Sequence, residues 1–311
     1  MKTTMLAAQR SAGCQVGFFA WPELFSFGPF QEGSFMASMD IAAVDGQRMP
    51  PAPGLKGVCE RCGAPAQAKC GPIVRWHWAH AGRRHCDPWM ENEGPWHKAW
   101  KEVFPFEWRE NVRCDEATGE KHIADIRRPD DLVIELQNSP MPIDEMQSRE
   151  QFYGENMIWI VNAEGFSKHI SLGAALPDPE HHQLEEYRLA LPIFGPQAAT
   201  SWLGYFRRAE LDARASESAL VELFHGKEFG NLEGSHRGHR AWSWKKPREV
   251  WLHAKRTVLL DFGVSSCLWA LVDYKGHVGK AIYPVAREQL IQAALSGGRL
   301  DFDQMSSAAA Q

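Results

Sequence analysis

Polar and apolar residues alternate most regularly in the middle of the chain. Three β-like runs, "EWRENVRC" (107–114), "KHIADIRR" (121–128) and "LVIELQN" (132–138), are separated by the turn-forming stretches "EATG" and "RPDD", which predicts an antiparallel meander. Before it, "PWHKAWKEVF" sets Trp96, Ala99, Trp100 and Val103 at helical spacing behind Pro95, a residue suited to the first helical position. After it, beyond Pro140 and Pro142, "DEMQSREQFYGE" predicts a helix from near Asp144, and "MIWIVNA" (157–163) predicts a buried strand. The expected order is helix, three strands, helix, strand.

The rest of the chain is patterned less clearly. Residues 1–54 are rich in Gly, Pro, Met and Ala, lack a period and read as loosely ordered, with "QRMPPAPG" as a linker. A Cys/His module at 55–90 precedes the core at 91–165. A connector follows at 166–256, with a helix or two within 197–225, where "LDARASESALVELF" fits the helical period. From 257 to 311, "TVLLDFG", "LWALVDY" and "VGKAIYPV" predict a small sheet, then a closing helix over 286–295 and a frayed Ser/Ala tail. The expected fold class is α/β (α+β). No apolar run reaches the roughly 18 residues of a membrane span. Trp21, Pro22 and Glu23 interrupt the N-terminal phenylalanines, which argues against a secretory signal. The expectation is a cytoplasmic protein with no membrane partner.

Alternate residues of a strand share a face, so Glu135 and Gln137 point one way while Ile134 and Leu136 point the other. A short "RPDD" turn brings Asp125 alongside Glu135. Two hard oxygen donors at a strand edge suit Mg²⁺, with Gln137 holding a water or a scissile phosphate. The plainer alternative is an amphipathic hairpin with a solvated polar face.

Charge and cysteine usage change this picture in two places. With 311 residues, a net charge of −5 and a pI near 6.2, bulk charge does not attract nucleic acid. A local run at 237–256 nevertheless interleaves basic residues with Trp242, Trp244 and Trp251, which suits either stacked bases or a packing interface. Cys59, Cys62, Cys70 and Cys86 crowd near His77, His80 and His85, a pattern that favours a metal over disulfides. The C-x2-C pair Cys59 and Cys62 supplies two ligands of a zinc site, and two more come from Cys70, His77, His80, His85 and Cys86. Cys14, Cys114 and Cys267 read as ordinary thiols.

The motifs "HWAH" (77–80), "CDPW" (86–89), "ENEGPWHKAWK" (91–101), "TGEKHIADI" (118–126), "VIELQNS" (133–139) and "SREQFYG" (148–154) resemble those of the competence protein CoiA-like family. That family is a branch of the PD-(D/E)XK nuclease superfamily, and the resemblance covers about residues 58–163. It implies a restriction-endonuclease-like αβββαβ core preceded by a zinc knuckle and followed by a helical connector and a small C-terminal sheet. It makes Asp125, Glu135 and Gln137 the metal and catalytic set, with Gln137 where many members have lysine. Glu93 and His97, one helical turn apart, become outer metal ligands or proton-transfer groups, and Lys101 pairs with phosphate or neutralises Glu93 and its neighbours. Arg149 and Tyr153 become substrate contacts. His80 and Cys86 join Cys59 and Cys62 around a structural Zn²⁺. The implied activity is Mg²⁺- or Mn²⁺-dependent phosphodiester hydrolysis on single- or double-stranded DNA in uptake, recombination or mobile-element processing, with recombination proteins as partners. The alternative is a weak or inactive DNA-binding or recombination-accessory protein on the same fold. No residue distinguishes DNA from RNA as substrate.

Overall fold

In the computed structural model of the chain, residues 39–82, 86–89, 93–199, 202–214, 221–263, 267–275, 277 and 279–302 are described. They form two compact units, one running to Asn162 together with His253–Val258, the other comprising Ala163–Leu252 and the chain from Leu259 onward. The fold class is mixed α/β. No helix among the described residues is long and apolar enough to cross a membrane.

The first unit begins with five short antiparallel strands: β1 Ala42–Val44, β2 Gln47–Met49, β3 Lys56–Val58, β4 Pro65–Lys69 and β5 His77–His80, in the order β2-β1-β3-β4-β5. Residues 42–49 therefore form a hairpin where a loose segment was expected, while the remainder of that expectation, residues 1–38, lies outside the described residues. The sequence there carries no long run because the strands are three residues each and gain order by pairing rather than by their own pattern. Their small core is Met39, Ala42, Cys59, Ala66, Ala68 and Trp78; the Trp78 indole donates to the Met49 carbonyl at 3.0 Å.

The middle of this unit has the expected order: α1 Pro95–Glu102, β6 Arg109–Cys114, β7 Lys121–Arg127, β8 Val133–Gln137, α2 Ile143–Tyr153 and β9 Met157–Asn162. The strands lie side by side as β9-β8-β7-β6, antiparallel except for the parallel β8/β9 pair, whose crossover is α2. Gly154, at φ +77°, ends α2. Every residue of β8 is buried, which marks it as a central strand, and polar residues there must find partners inside the protein.

The helix α1 departs from its apolar spacing. Trp100 is buried, as expected, but so are His97, Lys98 and Lys101, while Trp96 and Ala99 are only half-buried. The polar side of this helix is turned inward because acidic side chains from β6 and β7 await it.

The second unit holds a sheet ordered β10-β14-β17-β16-β15: β10 Ile170–Ala175, β14 Arg240–Trp244, β15 Thr257–Asp261, β16 Cys267–Asp273 and β17 Lys280–Ala286. A separate antiparallel sheet joins β11 Tyr187–Leu189, β12 Gly204–Arg207 and β13 Leu223–His225. The presumed connector thus contains strands, and of the predicted helix only Arg208–Arg214 is seen, since residues 215–220 lie outside the described residues and 223–225 are extended. The three C-terminal strands and the closing helix, here Arg287–Ser296, match the sequence pattern. Trp242, Trp244 and Trp251 are 0%, 4% and 1% exposed, so they pack the interior and cannot stack on bases.

Candidate metal centres and the carboxylate cavity

The Cys/His module closes on itself through a tight turn. The Cys59 amide donates to Ala64 and the Gly63 amide to Cys59, with Gly63 in the left-handed region at φ +69°, a conformation that costs glycine little. This turn delivers Cys59 and Cys62 together; β5 brings His80, and the following loop brings Cys86. The four donor atoms lie within 4.8 Å of one another. Cys59 Sγ is 3.6 Å from Cys86 Sγ, and Cys62 Sγ is 3.4 Å from His80 Nε2. A tetrahedral zinc with Zn–S near 2.3 Å sets sulfurs about 3.8 Å apart, so the cluster has nearly the dimensions of a closed site. Burial, together with crowding against the other sulfurs, raises the Cys86 thiol well above its ordinary range and raises Cys59 as well. Burial acts the same way on Cys62, but hydrogen bonds led by the Ala64 amide bring it down. Thiolates held this close need a cation to coexist. Cys70 packs beside the small core and His77 turns its ring to the Arg75 carbonyl at 2.8 Å, so neither joins the group; His85 lies outside the described residues.

Asp87, next to Cys86, ties this module to the sheet. Its side chain is fully buried and accepts from the Ile123 amide and the His122 ring, each at 2.9 Å, from the Trp89 amide at 3.1 Å, and lies 3.1 Å from Arg61. Burial opposes its ionisation, but these donors outweigh it and hold the carboxyl below its usual range. The sequence offered "CDPW" as a motif without revealing this role.

The carboxylates meet as the hairpin register requires. Ile126 pairs with Ile134 and Arg127 with Val133, so the next opposed pair is Asp125 with Glu135. At this point side chains replace the ladder: the Leu136 amide donates to Asp125 Oδ2 at 2.9 Å and the Asp125 amide to Glu135 Oε1 at 3.3 Å. On the other side, the pairs Arg109/Ile126 and Asn111/Ala124 set Glu110 opposite Asp125. Glu110 has φ +48°, an uncommon conformation for a side-chain-bearing residue, and is fixed there by the Asp40 and Ile41 amides, 3.0 to 3.1 Å from its carboxylate.

Across from these strands, α1 presents His97 and Lys101, whereas Glu93 comes from the segment just before the helix, ahead of its Gly94 cap and Pro95, and not from a helical turn below His97 as its spacing suggested. His97 Nε2 is 2.8 Å from Asp125 Oδ1. Lys101 Nζ contacts Glu93, and lies 3.2 Å from both Glu110 and Asp125. From α2, Arg149 donates to Glu135 Oε2 at 3.1 Å, to Glu145 at 2.6 Å and to the Trp89 carbonyl at 2.8 Å, with its guanidinium over the Trp89 ring. Burial pushes Glu135 up to about 7, with Asp125 adding to it and Arg149 opposing; burial likewise pushes Glu110 up to about 7 against the pull of Lys101. Asp125 is driven the other way: burial is outweighed by His97 and Lys101, which hold it far below the carboxylate range. Burial would lower His97 and Lys101, but the surrounding carboxylates raise both.

These side chains line a cavity of about 30 Å³, with Trp89, Glu93, His97, Lys101, Glu110 and Asp125 on its walls beside Glu135 and Arg149. That volume holds about two water-sized particles. Glu93 Oε2 and His97 Nδ1 are buried with no hydrogen-bond partner among the described residues. Glu93, His97 and Asp125 each offer a donor within 4.8 Å of the others, and so do Asp40, Glu93 and Glu110. Glu135 lines the same cavity but has both oxygens engaged by protein donors.

Two expected site residues point elsewhere. Gln137 donates to the Ser139 carbonyl at 3.1 Å and does not line the cavity. Tyr153 is 1% exposed among Trp89 and Phe152, so it offers no surface to a substrate backbone. Asp40 and Glu110, which sequence reasoning did not single out, take their place around α1. The positive φ of Glu110 leaves no mark in the sequence.

No protein-family model matches the chain, and no curated protein and no solved structure is significantly similar to it.

Proposed function

We propose that this chain is a divalent-cation-dependent nuclease of CoiA-like, PD-(D/E)XK type that hydrolyses phosphodiesters in DNA. The observation that carries the reading is the convergence of Asp125 and Glu135 with Glu93, His97 and Lys101 in one buried cavity, where Glu93 Oε2 and His97 Nδ1 have no hydrogen-bond partner among the described residues. The helix, three-strand, helix, strand order around it also supports that type of core. Glu93, His97 and Asp125 would hold the cation, and an imidazole among the donors favours Mn²⁺ over Mg²⁺. When bound, such a cation polarises a phosphate oxygen and acidifies a water.

The chain's own residues supply the rest. Before a cation binds, His97 Nε2 holds Asp125 in place by their shared hydrogen bond, which the cation would replace, and Asp125 stays ionised. Glu135, pushed up to about 7, is matched to accept a proton from an attacking water near neutral pH. Arg149 orients Glu135. The cavity admits water and an ion but no nucleobase, so a substrate would meet it through its backbone at the mouth. The thiolate cluster is assigned a structural Zn²⁺.

The test is cleavage of labelled single-stranded DNA, double-stranded DNA and RNA by the wild type, Asp125→Asn and Glu135→Gln in Mg²⁺, Mn²⁺ and EDTA. Metal-dependent cleavage of DNA that falls at least about 100-fold in both variants supports the reading. One observation favours the alternative of a DNA-binding or recombination-accessory protein: Lys101 and Arg149 already neutralise the carboxylates, so the cavity stands without metal. No cleavage by the wild type, with DNA bound in EDTA, would establish that alternative.

A further inference from the structure

Two acidic groups share Glu93, and they differ in what already fills them. In the group Asp40, Glu93 and Glu110, ammonium ions stand at each carboxylate: Lys101 Nζ contacts Glu93 and lies 3.2 Å from Glu110, and Lys98 Nζ lies 3.2 Å from Asp40. In the group Glu93, His97 and Asp125, Lys101 contacts Glu93 through Oε1 and lies 3.2 Å from Asp125 Oδ1, which leaves Glu93 Oε2 and the His97 ring without an ammonium. The two atoms with no hydrogen-bond partner among the described residues, Glu93 Oε2 and His97 Nδ1, are on members of this second group, and all three of its members line the cavity, whereas Asp40 does not.

Three carboxylates around one nitrogen that is 5% exposed form a built cation site with its occupant in place. The site is prepared from the backbone outward, since Glu110 is held at positive φ by two amides and cannot turn away from Lys101 without losing them. A tethered ammonium does not dissociate, and a divalent ion placed on the same oxygens would be repelled by it across a short, poorly solvated distance.

We propose that the Lys101 ammonium is a built-in cation occupying a second cation position among Glu93, Glu110 and Asp125, so that the cavity takes one divalent ion, at Glu93, His97 and Asp125, instead of two. Removing the ammonium turns the cavity into a binuclear centre bridged by Glu93 and Asp125. The inference rests on reading the cavity as a cation centre, and its test separates the two claims.

The experiment titrates Mn²⁺ into the full chain, its thiolate cluster first loaded with zinc, and follows stoichiometry by calorimetry and spin coupling by electron paramagnetic resonance. The expected result is one Mn²⁺ with an isolated-ion signal for the wild type, and two spin-coupled Mn²⁺ for Lys101→Met. Lys101→Gln, whose amide can still donate to Glu93, replaces it if Lys101→Met does not fold. Two Mn²⁺ in the wild-type cavity, a variant that stays at one, or a second ion that is not coupled to the first would overturn the inference while leaving the nuclease reading intact. None in the wild type and one in the variant would keep Lys101 as the occupant of a cation site and remove the divalent-cation nuclease. None in either would remove both.

Discussion

The thiolate cluster and the carboxylate cavity lie in the same unit and gather comparable numbers of anionic donors, yet they are balanced in opposite ways. Around Cys59, Cys62, His80 and Cys86 the close contacts are among the donors themselves. Around Asp125, Glu135, Glu93 and Glu110 the chain provides its own positive charge in Lys101 and Arg149, with the His97 ring hydrogen-bonded to Asp125. A cluster whose only nearby counter-charge among the described residues is Arg61, at Cys62, is expected to take up a cation as it folds. A cluster with its own counter-charge can fold first and bind a cation only for chemistry.

The sharpest way to break this comparison is to remove metal. Structural zinc in knuckle-sized modules contributes an apparent binding free energy of about 10–16 kcal/mol, so stripping it or making Cys59→Ser is expected to melt β3 to β5 outright. Hydrogen exchange at the Cys59, Ala68 and Trp78 amides, all hydrogen-bonded within the module, should rise to unprotected rates while amides of β8 and β9 stay slow. Purified protein without bound zinc whose module amides remain protected would mean that the thiols need no cation.

Next in size is the loss of internal counter-charge. Arg149→Met leaves Glu135 buried beside Asp125 without its guanidinium, which is expected to cost about 3–5 kcal/mol in metal-free protein. Adding Glu135→Gln should restore most of it. Urea denaturation of the two single variants and the double variant gives the coupling, and a value near zero would show that the carboxylate does not depend on Arg149.

A smaller effect is expected where the two regions are joined. Asp87→Asn keeps the shape of the side chain but loses its charge on His122 and on the Ile123 amide, at a cost of about 1–3 kcal/mol. Zinc content should remain at one equivalent, because Asp87 is not a ligand. Loss of the zinc along with stability would make the module and the sheet one cooperative element.

What could be read from the sequence was what neighbours in the chain decide. The alternation in "KHIADIRR" and the short "RPDD" turn fix the β7/β8 register, and that alone sets Asp125 opposite Glu135. The C-x2-C spacing likewise decides the turn at Cys59 to Gly63. His80 and Cys86 came from the resemblance and do meet that turn in space. What was hidden depends on partners far along the chain. Lys101 was expected to meet phosphate or neutralise Glu93, and nothing in its surroundings along the chain marked Glu110 as a further partner, or Asp40, 58 residues before Lys98, as the partner of Lys98. Trp242 looks like a stacking platform until Leu172 pairs with it across β10 and β14. In both cases local pattern gives the residue's chemistry, while its burial is decided by a strand or helix that the pattern does not connect to it.

The smallest effect is expected at Gln137, and it probes whether the cavity is complete without it. Strand alternation puts Gln137 on the face of Glu135, where it was expected to hold water or phosphate. In the structure its amide instead donates to the Ser139 carbonyl and hydroxyl, at 3.1 and 3.4 Å, and so closes the end of β8. Gln137→Leu should therefore cost about 1 kcal/mol of stability by removing bonds to Ser139, and leave DNA cleavage within about threefold of wild type at saturating Mn²⁺. The cavity's titratable set, Glu93, His97, Lys101, Glu110, Asp125, Glu135 and Arg149, is untouched by this change. If kcat instead fell 100-fold with unchanged Mn²⁺ affinity, Gln137 would have to swing toward the substrate during turnover. The carboxylate cavity would then be finished only when DNA binds, unlike the cysteine cluster, whose four donors already lie within 4.8 Å of one another.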